Sequence, residues 1–209
     1  MKKMYVLFVL SFSLSTLSFA QTTAKSVLDN VSAKLKTLKG ITANFSYTTT
    51  DKKGIKRGSV SGQIFIKGQK YYVKQGTTEI YCDGNKTWNY TADSKEVTVA
   101  DVDEDDSKTL TPQKLLSDFY DKDFTYTLVS SAGNYYEIDM IPVDKRKNFK
   151  QVNIFVDKSK NLITKAKVID KTDNIIQFSL SNINTNAALP DTKFVFDASK
   201  YPGVEVISQ

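Results

Sequence analysis

The aspartates and glutamates are the residues of this chain that could carry out acid–base chemistry. The 209-residue sequence contains no histidine, which removes the usual general base near neutral pH, the Ser-His-Asp triad and most zinc sites. Glu79, Glu137 and Asp139 are the best candidates among the acids of strand-like segments, where a glycosidase would need a pair facing a cleft. The alternating pattern places each of them more simply on the solvent side of a strand. We therefore expect no enzyme, and loss of turnover in Glu137→Gln would indicate a hydrolase.

Three other features could hold a ligand or carry a reaction. The acidic run at 101–106 lacks the Asp-x-Asp-x-Asp-Gly frame of a calcium loop, so we expect a solvated loop and no metal. Cys82 is the only cysteine and lies in an alternating segment, which predicts a buried thiol. No glycine-rich phosphate loop or GxSxG motif is present. The sequence therefore predicts no cofactor.

The charge of the chain is mildly basic, with a formal net charge of +6. The lysines are spread among aromatic residues and threonines instead of forming one run. A nucleic-acid-binding protein would present a clustered basic stripe. We expect a solvated surface and no nucleic-acid partner.

The first residues have the pattern of a secretory signal. Lys2 and Lys3 precede an apolar run over 4–17, and Ser18-Phe19-Ala20 is a small-x-small cleavage pattern. The alternative is a membrane anchor, but the run is shorter than the roughly 20 residues of a spanning helix. We predict a cleaved signal peptide at 1–20, export, and a single domain over 21–209.

Two segments have helical spacing. Apolar residues recur at intervals of three and four between residue 24 and the stop at Gly40, and include Leu35 and Leu38. A shorter helix is predicted after Thr111, with Pro112 in its first turn. Its apolar patch consists of Leu115, Leu116 and Phe119.

The remainder of the chain has strand-like periodicity. About eleven segments alternate with period two and are separated by short polar turns, such as Asp83-Gly84-Asn85. The predicted fold is mainly β with α: an antiparallel meander that curls, with helices over its concave face. The alternation assigns the following residues to one apolar face: Phe45, Ile64, Ile66, Tyr72, Trp88, Tyr90, Met140, Ile154, Val156, Phe178 and Leu180. Such a pattern fits a filled core and a ligand cavity equally well.

Five stretches, in this order and spacing, resemble the periplasmic lipoprotein carrier (LolA-like) family. They are VSAKLKTLKGITANF (31–45), GQIFIKG (62–68), YCDGNKTWNY (81–90), TPQKLL (111–116) and FVFDASKYPGVEVI (194–207). The similarity spans about residues 24–207. The third stretch, which matches the family's Asp-Gly hairpin with its Trp-x-Tyr, is the most specific.

The resemblance implies an incomplete, unclosed β-barrel of about eleven strands whose mouth is covered by lid helices. It implies a periplasmic, monomeric carrier that takes acylated lipoproteins from an inner-membrane ABC-type releasing complex and delivers them to an outer-membrane acceptor. The lid would contain Leu35, Leu38, Leu115, Leu116 and Phe119. Ten of the eleven apolar-face residues above, all except Leu180, would line the cavity. Tyr72 would lie on its wall, and Trp88 and Tyr90 would frame it.

One position departs from the family pattern. The family has Arg-Pro at the end of the second strand, and that arginine latches the lid, whereas this chain has Gly68-Gln69. Lys67 and Lys70 are the neighbouring cations that could replace it, although lysine lacks the planar fork of arginine. A module of the same fold that senses lipids or lipoproteins without transporting them therefore remains the alternative function.

Overall fold

The computed structural model describes residues 22–102 and 123–208. The predicted signal peptide at 1–20, the acidic residues 103–106 and the second predicted helix with Leu115, Leu116 and Phe119 lie outside these residues. The described elements are helix α1 (Ala24–Lys36) and strands β1 (Ile41–Thr50), β2 (Lys56–Lys67), β3 (Lys70–Gln75), β4 (Thr78–Cys82), β5 (Lys86–Thr91), β6 (Glu96–Asp101), β7 (Phe124–Ser130), β8 (Tyr135–Pro142), β9 (Phe149–Asp157), β10 (Leu162–Asp170), β11 (Ile175–Asn184) and β12 (Glu205–Ser208).

All twelve strands belong to one open sheet. Their order is β12-β6-β5-β4-β3-β2-β1-β11-β10-β9-β8-β7. The first eleven strands confirm the predicted antiparallel segments, and short turns join consecutive strands such as β1–β2, β2–β3, β3–β4 and β4–β5. In addition, β1 pairs with β11 across the sheet. The twelfth is a four-residue strand in the C-terminal tail, and it pairs with β6 in parallel.

Helix α1 begins and ends with local signals in the sequence. Thr23 and Ser26 form a reciprocal capping box at its N-terminus, with Ser26 N donating to Thr23 Oγ1 at 3.1 Å. Lys34 and Lys36 lie in the last turn, where positive charge complements the helix dipole. The helix ends at Lys36, before the predicted stop at Gly40. Among the described residues, no helix has the length and apolar composition needed to span a bilayer.

The two faces of the sheet are covered by different parts of the chain. We call the face that packs against α1 the helix face, because Val27, Leu28 and Val31 join its main apolar cluster. The opposite side is the outer face. The C-terminal segment, residues 185–204, crosses the outer face beside β2–β6, where Phe194 packs on Tyr72 and Tyr81. Successive residues of a strand point to opposite faces, so strands such as β2, β3 and β4 contribute residues to both clusters.

A glycine on β2 lets an aromatic ring lie flat on the helix face. Gly62 is directly opposite Phe45 on β1. A Cβ atom at position 62 would come within 2.7 Å of Phe45 Cζ and 2.1 Å of the Lys74 carbonyl oxygen. The ring of Phe45 therefore occupies the space of the missing side chain and stacks on Phe178, with centroids 6.2 Å apart.

We predict that Gly62→Ala lowers the free energy of unfolding by about 2 kcal/mol, because Phe45 and the β3 backbone must shift to admit the methyl group. Denaturant titration of the purified protein measures this change. Gly58→Ala is the matched control on the same strand, since a Cβ there meets nothing within 4 Å. Equal stability of the two variants would contradict the close packing at Gly62.

Candidate functional site

Helix α1 seals one part of the helix face. Leu28 is fully buried, and its cluster contains Ile138, Met140, Val152 and Ile154, each with no exposed surface. The helix lies against β7 and β10. Asn161, in the turn between β9 and β10, donates from Nδ2 to the Asn30 carbonyl oxygen at 3.3 Å. This part of the face is an ordinary filled core.

The helix face is less well covered further from α1. Val60 on β2, Tyr47 on β1 and Phe178 on β11 lie directly opposite one another in three adjacent strands. All three are only half-buried, and so are Val168 on β10 and Leu180 on β11. We call these five residues the half-buried patch. They form a continuous apolar surface that the described residues do not fully cover.

Seven of the ten predicted cavity residues share the helix face. Phe45, Ile64, Ile66, Met140, Ile154 and Val156 are buried in its main cluster, and Phe178 packs against that cluster. Leu35 and Leu38, which were predicted for the lid, are half-buried against the same cluster. The structure therefore brings these residues together, and Phe178 in particular borders the exposed part of the face.

The assignment of Tyr72, Trp88 and Tyr90 to that same face was wrong. Tyr72 and Trp88 belong to the outer-face cluster, and Tyr90 lies 5.6 Å from Phe196 of the C-terminal segment, measured between ring centroids. The physical reason is that successive side chains of a strand point to opposite faces of the sheet. Tyr71 and Val73, the neighbours of Tyr72 on β3, are the residues of that strand that reach the helix face.

A half-buried carboxylate organises the outer-face cluster. Glu79 accepts hydrogen bonds from Tyr81 Oη at 2.6 Å, Tyr201 Oη at 2.9 Å and Lys74 Nζ at 2.9 Å. Tyr201 also stacks on Phe196, with ring centroids 4.7 Å apart. Thus one acid on β4 holds both the sheet and the C-terminal segment.

The electrostatics of Glu79 follow from these contacts. Burial raises the pKa of its carboxyl, but hydrogen bonds from Tyr81, Lys74 and Tyr201 outweigh burial and hold the pKa at about 2. Burial and the neighbouring carboxylate raise the pKa of Tyr81 above its usual value. Glu79 is therefore an ionised acceptor bound to protonated phenols, which is a structural role and not that of a poised general acid.

Lysines fasten the start of the C-terminal segment. Lys67 Nζ donates to the Leu189 carbonyl oxygen and to Asp191 Oδ1, each at 2.9 Å, and Lys70 lies 3.2 Å from the same carboxylate. Lys193 Nζ lies 3.7 Å from the centroid of the Tyr72 ring, a cation–π contact. Lys67 and Lys70 therefore fasten the start of the C-terminal segment on the outer face.

Gly68, at the position of the family arginine, lies in the tight turn between β2 and β3. Its φ is +58°, and a Cβ atom there would meet nothing within 4 Å. A side chain at this position would enter open space in the described structure.

The two remaining acids considered for chemistry also point outward. Asn153 Nδ2 donates to Glu137 Oε1 at 3.1 Å and to Asp139 Oδ1 at 2.6 Å on the outer face. Within residues 22–102 and 123–208, no three His, Cys, Asp or Glu side chains gather as a metal-binding group. Cys82 is buried, as predicted, with a free thiol.

Sequence reasoning missed the outer-face cluster, although one signal for it was present. Tyr71, Tyr72 and Val73 are consecutive and all buried. A strand that is apolar at successive positions is typically covered on both faces. The run KYYVK thus indicated a second cover over β3, which the tail provides.

Comparisons with known proteins agree with this architecture. The model of the family "Outer membrane lipoprotein carrier protein LolA" matches residues 36–197. An outer-membrane lipoprotein carrier protein of Legionella pneumophila (strain Corby) is 26% identical over 215 residues, covering 100% of both chains. One from Pseudomonas fluorescens (strain Pf0-1) is 28% identical over 182 residues, covering 84% of this chain and 85% of that protein.

Two solved structures share the fold. An uncharacterized conserved protein from Thermus thermophilus superposes with a TM-score of 0.60 at 8% identity, covering 89% of this chain and 99% of that one. A putative outer membrane lipoprotein-sorting protein domain from Vibrio parahaemolyticus gives 0.50 at 11% identity, covering 81% and 94%. At these identities the similarity concerns the fold alone.

We predict that Glu79→Gln removes a pH-dependent part of the stability. The folded pKa of Glu79, about 2, lies below its ordinary value of 4.5. Its contribution is therefore fully present above pH 4.5 and is lost as the pH falls towards 2. Thermal melts between pH 2 and 6 should show the largest difference between wild type and variant at pH 6.

Tyr201→Phe, which keeps the ring but loses one hydrogen bond to Glu79, should give an intermediate effect. A difference between wild type and Glu79→Gln that does not change with pH would contradict the ionised, hydrogen-bonded state of Glu79.

Proposed function

Because the chain belongs to the LolA family of outer membrane lipoprotein carrier proteins, we propose that it binds the acyl chains of lipoproteins on its helix face and carries them between membranes. The proposed acyl-binding surface consists of the helix-face residues identified above. Tyr72, Trp88 and Tyr90 are not part of it.

The single observation that supports this proposal is the half-buried patch. Val60, Tyr47 and Phe178 form an apolar row that continues the buried core without being covered as the core is. Contiguous apolar surface of this kind is typical of sites for apolar ligands or partners. An acyl chain placed along the row would complete the burial that α1 begins.

The energetics suit reversible binding. Burial of each methylene of an acyl chain is worth about 0.8 kcal/mol, so a long chain recovers on the order of 10 kcal/mol gross. When the surface is already partly covered in the empty protein, lipid binding removes less apolar area from water, so the net free energy gained on binding is smaller. Incomplete coverage thus allows the protein both to accept a lipid and to release it.

The cellular setting of the proposal follows from the family and the N-terminal sequence. We propose that residues 1–20 direct export, that residues 21–209 form one periplasmic carrier domain, and that the protein acts without catalysis. An inner-membrane ABC-type releasing complex would supply the lipoprotein and an outer-membrane acceptor would receive it. Acylated lipoproteins are the proposed cargo.

We predict that Val60→Glu weakens binding of a fluorescent fatty-acid probe by at least about tenfold, because a carboxylate in the row must be desolvated when an acyl chain covers it. Fluorescence titration of the purified protein measures the affinity. Ser59→Glu is the matched control, since Ser59 is the exposed preceding residue and points to the outer face.

Both variants should retain the circular dichroism spectrum of the folded protein. Wild-type affinity in Val60→Glu would overturn the assignment of the acyl site to the helix face.

A transfer assay tests transport as distinct from sensing. We expect the wild-type protein to move radiolabelled lipoprotein from inner-membrane vesicles to outer-membrane vesicles. A protein that forms a stable complex with the lipoprotein but leaves it undelivered would instead be the sensing module.

A further inference from the structure

Basic residues gather at one corner of the sheet. Three turns contribute to it: residues 51–57 between β1 and β2, 144–150 between β8 and β9, and 170–174 between β10 and β11. Together they contain nine basic and four acidic residues, a net charge of +5, whereas the entire chain carries +6. Except for buried Lys147, every one of these basic residues is exposed. We call these three turns the basic corner.

Hydrogen bonds join the turns of the basic corner. Lys171 donates from its backbone nitrogen to the Asn148 carbonyl oxygen at 3.3 Å and from Nζ to the Lys145 carbonyl oxygen at 2.6 Å. Asp51, Lys52 and Gly54 of the first turn and Asp173 of the third line a common shallow groove of about 490 Å³. The three turns therefore present one surface, although up to about 120 residues of sequence separate them.

The acids of the basic corner are occupied locally. Asp51 accepts from the backbone nitrogens of Lys53 and Ile55 and from Arg57 Nε, each at 2.9 Å. Asp144 binds the guanidinium of Arg146, and Asp173 pairs with Lys150.

Lys52, Lys53 and Lys56 are exposed beside these pairs. They are the charges best placed to meet an external anion.

Exposed aliphatic side chains accompany these lysines. Ile55 is 49% exposed at the tip of the first turn, and Val143 is 58% exposed where β8 enters the second. Ile141, also in this region, is 45% exposed. A surface that combines basic residues with protruding aliphatic residues is typical of peripheral attachment to anionic bilayers.

The basic corner also adjoins the half-buried patch. Val168 is two residues from Asp170 along β10, and Val60 is four residues from Lys56 along β2. The least covered part of the helix face thus lies next to the basic turns, whereas α1 covers a different part. A molecule attached through these turns would hold the open apolar surface near the attachment plane.

We propose that the basic corner docks on the anionic phospholipid surface of a membrane and thereby brings the half-buried patch next to the lipid headgroups. The inference rests on the proposed function for its purpose, since docking there would shorten the path of an acyl chain out of the bilayer. Lys52, Lys53 and Lys56 meet phosphate groups, and Ile55 and Val143 enter the headgroup region.

A bilayer accounts for more of these features than an acidic protein would. Aliphatic side chains at turn tips gain from entering a headgroup layer of any local shape. An acidic protein surface would need complementary apolar pockets at matching positions. Each lysine close to an anionic bilayer contributes about 1 kcal/mol, and clusters of about four to eight are sufficient for recognition.

Vesicle flotation of the full protein tests the proposal. We expect wild type to bind vesicles of phosphatidylglycerol mixed with phosphatidylcholine, to bind phosphatidylcholine alone much less, and to lose binding as salt is raised. Replacing Lys52, Lys53 and Lys56 by Gln should lower the partition coefficient on the order of 100-fold, from the contribution of three lysines.

The matched control replaces Lys86, Lys160 and Lys200 by Gln. These exposed lysines lie outside the basic corner, and their replacement removes the same total charge. The control should bind nearly as well as wild type.

Absence of binding by wild type, or equal binding by the two triple variants, overturns the proposal. The same holds if the corner variant loses lipoprotein transfer while wild type ignores protein-free vesicles, because that result indicates an acidic protein partner.

The fatty-acid probe separates this inference from the proposed function. The corner variant should bind the probe with wild-type affinity because its substitutions leave the helix face intact. Vesicle binding without probe binding in wild type would instead contradict the acyl site and leave the docking surface standing.

Discussion

Coverage of a single open sheet is the constraint on which the structure depends. A sheet that is apolar on both sides must find a separate cover for each side. Here α1 covers the helix face near β7 and β10, and the C-terminal segment covers the outer face beside β2–β6. Over β8 and β9 the outer face is mixed: Asn153 is bound to two carboxylates, and Tyr135 packs on Phe155. The half-buried patch lies where the cover of the helix face ends.

The strands could be predicted because each depends on a local pattern. Period-two alternation and turns such as Asp83-Gly84-Asn85 identify β1–β11 without any tertiary information. The face to which a residue points is harder to predict, because it depends on which of the two alternating sets of side chains on each strand faces α1. For Ile64 and Met140 that choice was right, and for Tyr72, Trp88 and Tyr90 it was wrong. Aromatic residues suit either face, so periodicity alone could not decide.

The distribution of charge was hidden in the sequence for a geometric reason. The lysines are scattered along the chain, and only the order of strands β2-β1-β11-β10-β9-β8 brings three of the turns together. The network around Glu79 was hidden in the same way, since Tyr201 is 122 residues away from it. Properties that arise from non-local pairing require the topology first.

The short parallel strand β12 also affects how copies of this protein meet. It pairs with β6 and becomes the edge strand on that side of the sheet, with only four residues, Glu205–Ser208. Long unpaired edge strands can pair with strands from other molecules, and very short edge strands do so poorly. The open sheet is thereby protected, on this side, against edge-to-edge pairing with strands of other copies.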